Sequence, residues 1–199
     1  MKKNILTSYI FLVLNLLTYN SIAQKISLEN LLDSTITLSK NGNNIPLTET
    51  MKSASTTLKV WAHTRGFDMQ DKLLYQVELL NGLIPIAEAG NLKTEELNKV
   101  VNTIKLLVGI NQINNLLSEG KNALLGNAKS ITSSINLLQL GKVILDSRQQ
   151  NRLGSLLDIA SKTVKKLDEK DAGAKMAASS IKNTLEKIVS LVKDATKVQ

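Results

Sequence analysis

Residues 94–145 read TEELNKVVNTIKLLVGINQINNLLSEGKNALLGNAKSITSSINLLQLGKVIL, and the spacing of their apolar residues decides the fold. Leu97, Val100, Ile104 and Leu107 recur at intervals of three and four, the signature of one buried helix face. Glu95 and Glu96 follow Thr94, so the first turn of that helix carries negative charge where the backbone dipole is positive. Further along, Leu117, Leu124, Ile131, Leu138 and Leu145 recur every seven residues, beside a column formed by Gly120, Asn127, Ser134 and Gly141. A strict seven-residue repeat favours left-handed coiled packing, and a column of small residues lets a neighbouring backbone come close. A glycine inside a helix costs about 1 kcal/mol relative to alanine. Two readings of residues 110–145 therefore stand: one long helix, or two core helices with a break at Gly120 or Gly126.

The same periodicity extends in both directions, and no run alternates apolar with polar residues as a half-buried strand would. Ser27 is placed to cap a first helix striped by Leu28, Leu31, Leu32 and Ile36, with Ile26 and Leu31 as a hydrophobic staple across the cap. The turn cluster Asn41-Gly42-Asn43-Asn44 ends it. A second helix begins near Thr48, places Met51, Ala54, Leu58 and Trp61 inward and ends at Gly66. Asp68 is expected to cap a third, with Met69, Leu73, Val77 and Leu80 inward and a kink or end at Pro85. After residue 145, Ser155 is expected to cap a helix through Leu156, Ile159, Ala160, Val164 and Leu167. A last one runs from about Ala174, burying Ala177, Ile181, Leu185, Ile188, Val192 and Ala195 and turning most of its lysines outward. The sequence thus implies an all-α, single-domain bundle of about six or seven amphipathic helices.

Residues 1–23 carry a different message. Lys2 and Lys3 precede a short apolar stretch from Ile5 to Leu17, and Ser21 and Ala23 stand at minus three and minus one of a cleavage point before Gln24. This is the pattern of a secretory signal, and the apolar stretch falls short of the roughly 20 residues a membrane-spanning helix needs. The expected product is a mature α-helical chain of residues 24–199, exported to a periplasm or secreted. A chain of that length buries roughly 70% of its unfolded surface in one domain. It folds without disulfides, of which the sequence, lacking Cys, can form none.

Composition removes several chemistries. The absence of Cys excludes thiolate metal sites, iron–sulfur clusters and a Cys nucleophile. Six aromatics in the whole chain are too few for base-stacking platforms or aromatic cages. No G-x-S-x-G elbow, H-E-x-x-H pair or phosphate-binding Gly-Lys-Ser/Thr loop occurs. The stretch beginning at Asp168 resembles a calcium loop only superficially, because Lys170 and Ser179 stand where oxygen-rich ligands are required. Glu95 and Glu96 are adjacent and point about 100° apart on a helix, which suits a first turn better than a carboxylate dyad. An enzyme would have to be built around His63 with Asp68 or Asp71. No catalytic, cofactor-binding or metal-ligating residues are therefore assigned, and no cofactor is expected.

Charge and aromatic placement point to contacts instead. Residues 24–103 hold eight basic and nine acidic groups, whereas 104–199 hold fifteen and eight. A basic second half suits a solvated lysine face, an acidic protein partner or an anionic membrane surface. Nucleic acid is not an expected partner, because only three Arg occur and none is clustered. Trp61, His63, Arg65, Phe67 and Tyr75 lie within fifteen residues and include every aromatic beyond the signal and the one His. At the turn of a helical hairpin they would form a docking knob for a partner, since Trp, Tyr and Arg supply much of interface energy. The alternative is that Trp61 and Phe67 plug one end of the core. The expectation is a non-catalytic exported protein acting through an unknown protein partner in the cell envelope or outside the cell, as an accessory of a larger assembly. A membrane-active, lipid-binding or pore-forming helical protein is the alternative.

Overall fold

The computed structural model describes residues 27–168 and 172–196. The signal at 1–23, the Ile26 half of the staple, Lys170 and Lys197 lie outside the described residues. Among these, seven α-helices and no strand are present: α1 Leu28–Lys40, α2 Asn44–Arg65, α3 Gln70–Glu88, α4 Thr94–Ser118, α5 Ala128–Gly141, α6 Ser147–Val164 and α7 Ala172–Ala195. Short 3₁₀ turns at Phe67–Met69, Lys121–Leu124 and Lys142–Ile144 join neighbours. The chain is an all-α helical bundle.

Helix α4 is its hub. It packs against α1, α3, α5 and α7, and the nine residues from Thr103 to Asn111 are all buried. A helix apolar on one stripe needs one neighbour; this one is surrounded, which explains the nearly continuous apolar run LLVGI at 106–110. Its polar interruptions are tied down. Lys105, only 4% exposed, places its ammonium 2.5 Å from Asp33 Oδ1 of α1, and Thr103 donates to the Lys99 carbonyl one turn back.

Of the two readings of 110–145, the structure takes the broken one. Helix α4 stops at Ser118 and α5 starts at Ala128, with Gly120 and Gly126 between them at φ values of 93° and 75°. These lie in the left-handed region that favours glycine. The seven-residue ladder survives the break, because Leu124, Ile131, Leu138 and Leu145 are all buried. The small column meets a backbone of the same chain. A Cβ at Gly141 would lie 2.6 Å from the Leu106 nitrogen and 2.8 Å from the Asn102 oxygen of α4. From the α4 side, one at Gly109 would lie 2.9 Å from the Ser134 oxygen. Ser134 is itself buried, donating to Gln112 Oε1 at 2.8 Å.

Several boundaries differ from the sequence reading, each for a local reason. Helix α2 begins at Asn44 rather than near Thr48, because Pro46 sits in its first turn, where no backbone donor is needed. Pro85 lies in the last turn of α3, which continues to Glu88. Helix α6 begins eight residues before Ser155: Asp146 accepts from the Gln149 N–H at 2.8 Å and Gln149 reaches back to the Asp146 N–H, a complete capping box. Ser155 is then interior and donates to the Asn151 carbonyl. The inward face of α6 becomes Leu153, Leu157, Ala160 and Val164, leaving Ile159 half exposed. Ser27 does cap α1, accepting from the Asn30 N–H at 3.2 Å.

Candidate functional site

The corner between α2 and α3 is built around one glycine and one strained residue. At Gly66 a Cβ would lie 2.3 Å from the Ala62 oxygen and 2.9 Å from Gln70 Cα, so no larger residue fits there without moving the backbone. Phe67 follows with φ 43°, the only non-glycine residue with positive φ among the described residues. A bulky side chain in that region is strained by about 1–3 kcal/mol and persists only where its surroundings hold it. Here the brace comes from α4. Asn111, fully buried, donates from Nδ2 to the Arg65 carbonyl at 2.6 Å, and Asn115 donates to the same oxygen at 3.4 Å. The Oδ1 of Asn111 is buried without a hydrogen-bond partner. Such an orphan costs about 1–3 kcal/mol. The corner thus rests on a glycine whose place no larger residue can take and on a phenylalanine held where it would not settle by itself.

Asp68 does not cap α3. It accepts from Lys193 Nζ of α7 at 3.0 Å and from Asn114 of α4 at 3.5 Å, tying three elements at the corner. The hydrogen bond from the Lys193 ammonium, with its charge, holds the Asp68 carboxyl below its ordinary value of 3.8. On the other side His63 Nδ1 lies 3.3 Å from Gln70 Nε2. The groups an acid–base pair would have required thus have separate partners: His63 pairs with Gln70 and Asp68 with Lys193.

The five residues singled out by sequence do not converge. Trp61 is half-buried and lines a cleft of about 320 Å³ together with Arg65, Gln112 of α4 and Ser134 of α5. His63 and Arg65 are exposed on α2. Phe67 stands at the apex, 67% exposed, so it does not plug the core. Tyr75 lies two turns into α3 and faces a different groove, of about 830 Å³, between α3 and α4 at the end of α7. The reason is the phase of the helices: the 3₁₀ turn and the strained Phe67 rotate α3 so that Tyr75 departs from the corner. The residues that brace the corner, Asn111 and Asn115, escaped the sequence reading. Their one signal is the interruption of an apolar run by polar amides.

Among the described residues, no group of three or more His, Asp or Glu is placed to hold a metal ion, and no helix is long and apolar enough to cross a membrane. Comparison of the chain with protein-family models, with curated proteins and with solved structures finds no match.

Proposed function

We propose that the chain is a non-catalytic exported protein that acts through contacts with a protein partner in the cell envelope or outside the cell, as an accessory of a larger assembly. One observation carries the reading: an aromatic ring, Phe67, is held two-thirds exposed on a strained backbone that the buried Asn111 amide of the central helix braces. Backbone strain of this kind clusters at functional sites. An exposed ring on a rigid support gives up little conformational entropy on docking, which is what an interface anchor needs. Trp61 and Arg65 line a separate cleft with Gln112 and Ser134, which Phe67 does not enter. Export rests on the sequence of residues 1–23.

The membrane-active alternative drew on the Gly and Ser residues of 109–141. Gly109, Ser134 and Gly141 are taken up by α4–α5 packing, and the α7 lysines Lys182 and Lys193 are engaged with Glu186 and Asp68. Neither favours insertion into lipid.

A photo-crosslinking residue at position 67, compared with one at Met176, tests the proposal in the producing cell. Met176 is equally exposed, on α7. A discrete adduct at 67 that is absent at 176 is expected. No adduct at 67, or the same set of adducts at both positions, overturns the reading.

A further inference from the structure

The cleft beside Trp61 begins where helix α1 begins. Three contacts set α1 antiparallel to α4: Ser39 bonds Thr94 at 2.9 Å, Asp33 pairs with Lys105 at 2.5 Å, and Gln112 Nε2 lies 3.5 Å from Glu29 Oε1. Gln112 is also the first α4 residue of the cleft floor, which continues through Leu116 to Glu119. The chain ahead of α1 is therefore aimed along this floor, and it leaves the cap extended, with Ser27 at φ −66° and ψ 151°. Trp61 and Arg65 of α2 form one wall, and serines of α5 the other. Two charged side chains line the cleft among the described residues, Arg65 on the α2 wall and Glu119 at the far end of the floor. Both are exposed, and neither has an ion pair among the described residues.

We propose that residues 24–26 of the mature chain occupy this cleft, with Ile26 against Trp61 and the amino group of Gln24 paired with the Glu119 carboxylate, a placement that rests on the export reading, since cleavage before Gln24 creates that amino group. Direction, length and charge select this occupant. The direction is that of the chain entering α1. In length, the floor from Gln112 to Glu119 measures about 10 Å at 1.5 Å per residue, and three extended residues span about 10 Å. In charge, a free α-amino group is cationic at neutral pH, and Glu119 stands at the end that residue 24 reaches. Arg65, which would repel the ammonium, lies on the side wall, where its guanidinium can donate to carbonyls of the segment. Alternate residues of an extended chain share a face, so Ile26 turned toward Trp61 and Leu116 leaves Lys25 facing the mouth of the cleft. A precursor still carrying residues 1–23 has a peptide bond in place of the ammonium and must lead its chain out past Glu119. Removal of the signal thus creates the charge that closes the cleft, and the fold gains this tie only after export.

The test compares three forms of the mature chain: one beginning at Gln24 with a free amine, the same chain with Gln24 cyclised so that it has no ammonium, and one beginning at Ser27. In the first, nuclear Overhauser contacts between the Ile26 methyls and the Trp61 indole are expected. Beginning at Ser27 should shift the Trp61 indole N–H resonance and raise the quenching of its fluorescence by acrylamide. The free-amine form should unfold at a higher temperature than the cyclised one, and that difference should vanish in Glu119→Gln, which keeps the Ile26–Trp61 contact. Absence of that contact, an unchanged Trp61 in the chain beginning at Ser27, or a difference between the first two forms that survives Glu119→Gln would each overturn the proposal. The mass of the protein recovered from the producing cell reads the cut separately. A chain still carrying residues 1–23 overturns the export reading and this proposal with it, whereas a chain cut before Gln24 that lacks the Ile26–Trp61 contact overturns this proposal alone.

Discussion

Adding one methyl group at Gly141 and at Gly82 is the same chemical change in opposite surroundings. At Gly141 the new Cβ would stand 2.6 Å from a backbone nitrogen of α4, where ordinary contacts begin at 3.4 Å. No flexible side chain can yield, so α4 and α5 must separate by about 0.8 Å along their shared seam, an overpacking cost of about 1–3 kcal/mol. The gain in helix preference offsets at most about 1 kcal/mol. A net loss of about 1–2 kcal/mol follows for Gly141→Ala. Gly82 lies within α3 with nothing inside 4 Å of the new carbon. There the substitution only restricts the unfolded chain and favours the helix, a gain of about 0.5–1 kcal/mol. In thermal unfolding the two variants should lie on opposite sides of the wild type and differ by about 4–10 °C for a chain of this size. Stabilisation by both alanines would show that α4 and α5 do not approach as closely as described.

Four further outcomes are expected. Asp33→Ala should destabilise the fold by about 1–3 kcal/mol by leaving the Lys105 ammonium buried without a partner, while Lys105→Met should be close to neutral; chemical denaturation reads both. Because the Asp68 carboxyl titrates below its ordinary 3.8, its tie to Lys193 is fully present above that pH and is lost as pH falls through the lowered value. A carboxyl NMR titration should show that midpoint, and its return toward 3.8 in Lys193→Met. Phe67→Gly should leave unfolding unchanged or raise its midpoint, because it releases the left-handed strain and removes a ring that is mostly in water, yet it should abolish the crosslinked adduct's competition by added protein. Asn111→Ala should cost about 1–3 kcal/mol, by leaving the Arg65 carbonyl with the weaker Asn115 donor alone, as read by denaturation.

How much of this was legible in the amino-acid order depends on whether the determinant is local. The stripes of α1, α3 and α7 were, because each helix buries one face and the spacing of Leu28, Leu73 or Ile181 and their partners records it. The start of α6 was legible in principle, since Asp146 and Gln149 carry a capping box three residues apart, but Leu156 and Ile159 spell a second apolar stripe beside the buried one of Leu153 and Leu157. The hub was harder. A helix buried on all sides has no polar face to set its phase, and Lys105 inside it reads as an exposed position until Asp33, 72 residues earlier, is brought beside it. The corner residues were near one another in sequence, but nearness along a chain that turns through a 3₁₀ segment does not fix which way each side chain faces. Tyr75 parted from Trp61 for that reason. The groove it lines depends on where the chain after α7 meets Lys72, a contact between residues 124 apart.

The surrounded helix α4 also orders the molecule in time. Residues 103–111 are covered by α1, α3, α5 and α7 rather than by water, so their helix hydrogen bonds open to exchange only when the helices on either side of residues 119–127 come apart. Those open-spaced glycines at 120 and 126 make the intervening segment a natural place to divide the chain. Cut there, the first part would carry α4 with the faces meant for α5 and α7 bare, and the second would hold the helices that cover them. The halves should find each other again without a covalent link, each completing the other's core.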